Sequence, residues 1–395
     1  MFRFNYTGDL LGIKDAVIHD VVGVGDYLVE VHLSLRRRAC QCPVCDSMSD
    51  RVHDYRTQVV KGAPIGARSL RLHYRKRRYL CTECGKRFYE PNCFVPRYHR
   101  MSAELIALVI HELASTVSMK SVACRYDISA TTVARLLDYL AVGERKLPEV
   151  LSIDEFRGNT ETGKFQCILT DAKQRRVVDI LPGRESRHIT AYLSGFSREE
   201  RNQVKVVVMD MTQGYKSIAK AYFKNAIIVA DRFHYVRQVM FSLDRVRRDE
   251  QSYFGMNRRR YFKRSRKLLS KRFKELTQEN QDAVAVMLSL SPRLARAHFL
   301  KEKFLHFADS PSFEEAKKRL AEWYTHVASC DLPEFNRCME TIFAWQDEIL
   351  NSFKVPYTNG YTEGVNNKIK VLKRVSFGVR NFFRFRRRIL HMMAA

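Results

Sequence analysis

The sequence predicts a multidomain α/β protein: a metal-stapled N-terminal module, a helical hook, and a sheet-based core interrupted by a long all-α stretch. Three observations predict it. Two C-x-x-C pairs, Cys42-Pro43-Val44-Cys45 and Cys81-Thr82-Glu83-Cys84, lie near the N-terminus. Between residues 150 and 230, short apolar runs of strand character give way to alternating helical and strand-like segments. From about Arg237 to Asn351 the pattern is helical and heavily basic.

Charge sets the class of partner. The chain of 395 residues carries 69 Lys+Arg against 43 Asp+Glu, a formal net charge of +26. That surplus is the electrostatic footprint of DNA or RNA, weighed against a merely solvated or membrane-attracted surface. Apolar content is ordinary, which excludes a disordered basic tail. There is no signal peptide and no apolar run approaching about 18 residues, so no membrane span is expected and a cytoplasmic, nucleoid-associated protein is. Ten cysteines without a secretory segment point to a reducing compartment and metal ligation.

Residues 1–98 form the first predicted module. Tyr27–Leu33 and Ser69–Arg75 alternate as strands. The second strand returns one knuckle to the other, so Cys42, Cys45, Cys81 and Cys84 can give four thiolates to one structural Zn²⁺. Cys40 is a spare thiol, and His53 and His73 are possible substitutes. The remaining cysteines, Cys93, Cys124, Cys167, Cys330 and Cys338, read as ordinary buried thiols. Arg75, Lys76, Arg77 and Arg78, with Lys86, Arg87 and the aromatics Tyr79, Phe88 and Tyr89, read as a surface for a phosphate backbone.

Residues 99–147 read as a helix-turn-helix. Ser102 caps a helix with Leu105, Ile106, Val109, Ile110 and Leu113 at helical spacing, a second helix covers Lys120–Tyr126, and Ser129 caps a third from Ala130 to Tyr139. The whole helical region is expected to run over 102–142. Its recognition helix offers Thr131, Thr132 and Arg135 to the major groove.

The core begins at residue 148. Val150–Phe156, Phe165–Thr170 and Arg176–Leu181 read as three antiparallel strands. A helix near Ser186–Leu193, a strand at 204–209, a helix at 213–223 and a strand over Ala226–Ala230 follow. That order is the order of a ribonuclease H-like fold, in which the first and fourth strands are neighbours. Asp154 and Asp210 then stand side by side at adjoining strand ends, where they can share metal ions. Asp231 also ends a strand and is the competitor for the second ligand; with His234 it is read as either ligand or buttress. Asp171 and Asp179 are expected to be solvated. Core residues 148–236 are followed by an α-helical insertion over 237–354 and by core completion over 355–395. There Glu363 rejoins the aspartates, Lys368 and Lys370 reach DNA phosphate from the same helix, and Arg380, Arg384, Arg386, Arg387 and Arg388 add backbone contacts or a packed basic tail.

With these motifs in order, the chain resembles the bacterial DDE transposases of the insertion-sequence family called ISL-three. The resemblance rests on the knuckles, the hook, Ser152-Ile153-Asp154-Glu155-Phe156, Asp179–Arg184 and Ala230-Asp231-Arg232-Phe233-His234. Most specific are Thr362-Glu363-Gly364-Val365-Asn366-Asn367-Lys368-Ile369-Lys370 and Phe377–Phe382. It implies Asp154, Asp210 and Glu363 as a catalytic triad binding two Mg²⁺ or Mn²⁺. Met211-Thr212 departs from the basic residue and serine that many relatives carry after the second aspartate.

The expected reaction is two-metal phosphoryl transfer on double-stranded DNA. Water frees a 3′-hydroxyl at the element end, and that hydroxyl attacks target DNA. The N-terminal modules read the terminal inverted repeats, and pairing two ends implies at least a homodimer. Two other readings compete: a structure-specific nuclease with the same core, and a non-catalytic zinc and helix-turn-helix regulator.

Overall fold

The computed structural model describes residues 11–141 and 143–394. The first ten residues of the predicted N-terminal module, and Val142 at the end of the predicted hook, lie outside the described residues.

The N-terminal module is a five-stranded sheet and a two-stranded sheet, with one knuckle in each. Its strands are β1 (Ala16–Val24), β2 (Leu28–Leu35), β3 (Cys40–Gln41), β4 (Met48–Ser49), β5 (Val52–Ile65), β6 (Arg68–Leu80) and β7 (Arg87–Tyr89). The larger sheet runs β1-β2-β6-β5, with β7 on β6, and β3 pairs β4 separately. Strand alternation makes the core: Val29, Val31 and Leu33 of β2 pack with Leu70, Leu72 and Tyr74 of β6 and with Val60 and Phe94. The predicted strands at 27–33 and 69–75 are the middle of this sheet. Each knuckle joins a short antiparallel pair, β3 to β4 and β6 to β7.

The hook is α1 (Ala103–Glu112), α2 (Met119–Arg125) and α3 (Ala130–Leu136), continued by a 3-10 turn at Leu137–Tyr139. Three serines start the three helices. Ser102, Ser118 and Ser129 each accept a hydrogen bond from a backbone N–H three residues on, satisfying one of the donors that a helix start leaves open. Leu105, Val109, Leu113, Val122, Val133 and Leu136 close a small core among them.

The second sheet holds β8 (Val150–Phe156), β9 (Gln166–Asp171), β10 (Arg176–Leu181), β11 (Val206–Met209) and β12 (Ile227–Ala230) in the order β10-β9-β8-β11-β12. β8 is antiparallel to β9 and parallel to β11, as its sequence position predicts. Helices α4 (Ser186–Leu193), α5 (Arg198–Asn202) and α6 (Gln213–Tyr222) join these strands. Leu151, Ile153, Val207, Met209 and Ala230 face one way, onto α4 and α6 and a large helical body. That body is α7 (Arg232–Tyr253), α8 (Met256–Arg259), α9 (Ser265–Ser270), α10 (Gln278–Ser289), α11 (Pro292–Ala308), α12 (Phe313–Cys330), α13 (Pro333–Ala344) and α14 (Gln346–Asn351). The opposite face of the sheet meets the chain's return. Phe156, Ile168 and Ile180 pack with Val365, Ile369 and Leu372 of α15 (Gly360–Val375), and with Phe382, Phe385 and Ile389 of α16 (Phe382–Ala394).

Two acids read as solvated are instead buried. Asp179 accepts a two-pronged hydrogen bond from Arg386 of α16, at 2.6 and 2.8 Å, and Asp171 accepts the Lys173 and Gln174 N–H groups of its own turn. Both serve the fold, because a buried carboxylate needs donors. The thiols also divide: Cys167 and Cys338 are buried, Cys330 is half-buried, but Cys93 and Cys124 are exposed.

Candidate active site

Strand register builds the site. Met209 of β11 pairs with Ile153 of β8 on one side and with Ala230 of β12 on the other. The next residue on each strand is an aspartate, so Asp154, Asp210 and Asp231 occupy one row across three parallel strands. Asp154 and Asp210 are 8% and 9% exposed, on the face that carries α15.

The row's electrostatics are unbalanced. Burial, followed by the charge of Asp210, pushes the Asp154 carboxyl up to about 7. Its Oδ1 accepts the Glu155 N–H at 2.7 Å, and its Oδ2 accepts from Asn366 Nδ2 at 2.8 Å. Asp210 faces His234, whose Nε2 lies 2.8 Å from Oδ1. Burial alone would lower His234; the Asp210 and Asp231 carboxylates outweigh it and raise the imidazole above its ordinary value.

Asp231 is used differently. It caps α7 by accepting the Phe233 N–H, and its other oxygen accepts the Asn359 N–H, both at 3.2 Å. The first bond starts the long helix and the second ties down the segment that leads into α15. Both carboxylate oxygens therefore have backbone partners, the pattern of a buttress.

Glu363 comes from the first turn of α15 and is exposed. Its carboxyl is raised by partial burial and then by the charges of Asp231 and Asp210, with His234 and Lys370 opposing, so it lies within electrostatic reach of the row. Side-chain bonds hold α15 on the sheet: Asn366 donates to Asp154 and to the Glu155 carbonyl, Lys373 donates to the Arg157 carbonyl, and Thr362 pairs with Thr170 at 2.7 Å in the interior. Lys368 and Lys370 are exposed on the same helix. The three carboxylates do not converge on one point: the groups of three or more His, Cys, Asp and Glu whose ligand atoms all come within 4.8 Å of one another among the described residues lie elsewhere. A buried, mutually repelling anion pair with a third carboxylate at its rim is a donor set that fits hard dications.

The N-terminal cluster is closed by contrast. Cys42, Cys45, Cys81 and Cys84 converge, with Sγ–Sγ distances of 3.6 Å (Cys42–Cys84), 3.5 Å (Cys45–Cys81) and 3.4 Å (Cys45–Cys84). Tetrahedral thiolate zinc sets such sulfurs roughly 3.8 Å apart. The two knuckles share one local geometry. The residue after the second cysteine, Asp46 or Gly85, takes a left-handed φ of 61° or 70°, and its N–H returns to the carbonyl of the first cysteine. Hydrogen bonds from Ser47, then the neighbouring sulfurs, pull the Cys45 thiol down, and the same contacts among the sulfurs push Cys84 up. Cys40 stands outside the cluster, bonded to the Arg38 carbonyl, and neither His53 nor His73 joins it.

The predicted DNA contacts divide. Thr131 and Arg135 are exposed and Thr132 half-buried on α3, open to a groove. Arg75 is exposed with its guanidinium on the Tyr55 ring, and Lys76 lies over Tyr89. Arg77 is not a DNA contact: its side chain is buried, bonded to Glu90 at 2.9 Å and to the Leu35 carbonyl at 2.7 Å. Arg78 is half-buried and held two-pronged by Asp54. Tyr79 and Phe88 are buried too. The odd-numbered face of β6 changes its surroundings along the strand: Arg71 and Arg75 are exposed, whereas Arg77 and Tyr79 are covered, Tyr79 by Cys40, Cys42, Cys81 and Phe88.

The basic tail is likewise spent inside the protein. Arg384 and Arg387 pair with Asp138 of the hook, and Arg386 with Asp179. Arg388 is fully buried and donates to the Val117 carbonyl and to Ser376. α16 is a strut between hook and core. Arg380 remains exposed. Asn366 is the site residue whose role the residue pattern did not reveal; its signal was its place three residues after Glu363, on the same helical face.

Comparison with known proteins covers most of the chain. A family model described as a transposase matches residues 151–389. A zinc-finger of transposase IS204/IS1001/IS1096/IS1165 matches residues 30–84, and a helix-turn-helix domain of transposase family ISL3 matches residues 90–141. The transposase for insertion sequence element IS1001 of Bordetella parapertussis is 26% identical over 366 residues, 89% of this chain and 88% of its own. The transposase for insertion sequence element IS1557 of Mycobacterium tuberculosis is 25% identical over 241 residues, 55% of this chain and 54% of its own. A Lactococcus lactis protein named an ATP-dependent protease shares 34% identity over 113 residues, 28% of this chain and 34% of its own, too little of either to bear on function.

Proposed function

The chain belongs to the transposase family ISL3, and from that premise we propose that its DNA cleavage and strand transfer are carried out at Asp154, Asp210 and Glu363. The observation that carries this reading is the row of strand-end aspartates, with Asp154 pushed up to about 7 by burial and by Asp210, and Glu363 at its rim. The sheet order β10-β9-β8-β11-β12, with β8 between β9 and β11, supports a ribonuclease H-like core. On that reading residues 148–236 and 355–395 are one core, and 237–354 are an α-helical insertion; residues 1–98 and 99–147 are the zinc and helix-turn-helix modules.

Asp154, Asp210 and Glu363 would hold two magnesium ions. When bound, the ions supply the positive charge that activates the attacking oxygen and stabilises the leaving one. The protein's own groups do the rest. Asn366 orients Asp154, His234 orients Asp210, and Asp231 braces the segment that brings Glu363 into place. Lys368 and Lys370 stand where they can hold the phosphate beside the scissile bond. Thr131, Thr132 and Arg135 read the element ends, and Arg75 and Lys76 grip backbone. Cys42, Cys45, Cys81 and Cys84 hold one zinc that keeps the N-terminal module folded. Two DNA ends must be paired, so the working form is at least a dimer.

The test is direct. The protein is incubated with its own element ends, a target plasmid and Mg²⁺. Joined products are expected. Cutting without joining would leave only a nuclease.

A further inference from the structure

A second cluster of ligand atoms lies on the outer face of the N-terminal sheet, away from the cysteines. Val29, Val31 and Leu33 of β2 face the core, so Glu30 and His32 face outward. β2 and β6 run parallel, with His32 directly opposite His73 and Glu30 opposite Arg71. The two imidazoles stack, with ring centres 4.5 Å apart and planes 12° from parallel, so one ring must turn about its Cβ–Cγ bond before both can point a nitrogen at one ion. Donor atoms of Glu30, His32 and His73 all lie within 4.8 Å of one another. The Nε2 atom of His73 is shielded from water and has no hydrogen-bond partner, although Glu30 Oε2 lies 3.4 Å away. A shielded ring nitrogen without a partner is costly and needs an explanation.

We propose that Glu30, His32 and His73 form a second metal site, separate from the four cysteines, which takes a transition-metal dication with zinc as its natural occupant. The donor set argues for that class. Two imidazoles and one carboxylate suit zinc, cobalt or nickel, whereas magnesium and calcium want oxygen alone. Three protein ligands leave one position to water. Arg71 donates to the other Glu30 oxygen at 2.9 Å, which fixes the carboxylate with Oε2 toward His73. Its guanidinium also opposes an incoming cation, but it is half exposed and free to turn into solvent. The gain is mechanical. β2 and β6 are not joined by a hairpin; the first knuckle and all of β5 lie between them in sequence. An ion held by both strands would clamp that pairing.

The experiment is equilibrium dialysis of the full chain against micromolar zinc, followed by metal analysis. Wild type is expected to hold two zinc ions per chain, and the His32→Ala, His73→Ala double variant one, with far-ultraviolet circular dichroism unchanged. Glu30→Gln should weaken the second ion about tenfold. Arg71→Ala should tighten it, because a competing cation is gone. The two single variants carry the test if the double variant does not fold. One zinc in wild type, a second ion that appears only at millimolar zinc, or no change in either Glu30→Gln or Arg71→Ala overturns the proposal.

Discussion

In the knuckles, four sulfurs already stand within 4.8 Å of one another, closed by backbone hydrogen bonds within each turn. In the strand-end row, two buried aspartates repel each other while the third carboxylate stays exposed on another element. The first set is local: each pair of cysteines belongs to one tight turn, and folding of that turn makes half the site. The second is assembled from β8, β11 and α15, brought together only by the finished core. A closed, four-ligand set serves stability, and an open set with spare coordination serves chemistry. On the reading proposed above, tension in the open set is the counterpart of its function, because ions that would relieve it would also touch substrate.

The largest expected effect follows from breaking the open set. Asp154→Asn, Asp210→Asn and Glu363→Gln should each lower cleavage and strand transfer by about 10³-fold or more, with end binding retained in gel-shift assays. An amide keeps the shape but not the anionic ligand. Breaking the closed set should do the reverse. Cys42→Ser with Cys81→Ser is expected to release zinc and to weaken end binding about 100-fold, while Mn²⁺-dependent nicking of random DNA persists. If nicking disappears together with binding, the two sites are not separable.

Titration gives a smaller, signed effect. The carboxyl of Asp154 is raised in the folded state to about 7 from an ordinary value near 4. The metal-free fold therefore has this contribution fully below about pH 4 and loses it as pH rises toward 7 and beyond. Metal-free Asp154→Asn should be more stable than wild type at pH 8, by up to about 4 kcal/mol, and no more stable at pH 4. Thermal melts in chelator at both pH values check this. The smallest effect is at the surface. Arg75→Ala should reduce the salt dependence of DNA binding by about one ion and leave stability unchanged. Arg77→Ala should leave that slope alone and lower the melting temperature, because it strands Glu90.

Much of this was readable from the residues because the signals are local. Apolar runs ending in aspartate gave β8, β11 and β12, and the order of strands and helices put the first strand beside the fourth. Paired C-x-x-C turns gave the thiolates, and serine caps gave the hook. What failed was long-range. Asp179 looked solvated because its partner Arg386 lies 207 residues away, and Asn366 was anonymous because Asp154 is 212 residues distant. β5 went unread because Asp54, Arg56 and Gln58 mask its strand character. Arg77 was taken for a DNA contact, and the basic tail was left open between backbone contacts and packing, because a charge count does not show which cations the fold has already paired.

The row contains one more aspartate than the chemistry needs, and the account depends on which is which. Asp210 is free of backbone duties and faces His234; Asp231 gives both oxygens to backbone N–H groups. The decisive measurement compares Asp210→Asn with Asp231→Asn in strand transfer of the element's own ends with Mg²⁺, at a temperature where both are folded. The account predicts no joined product from Asp210→Asn, and measurable joining from Asp231→Asn with a melting temperature lowered by the loss of about 1–2 kcal/mol. Normal joining by Asp210→Asn beside a folded but inactive Asp231→Asn would contradict it.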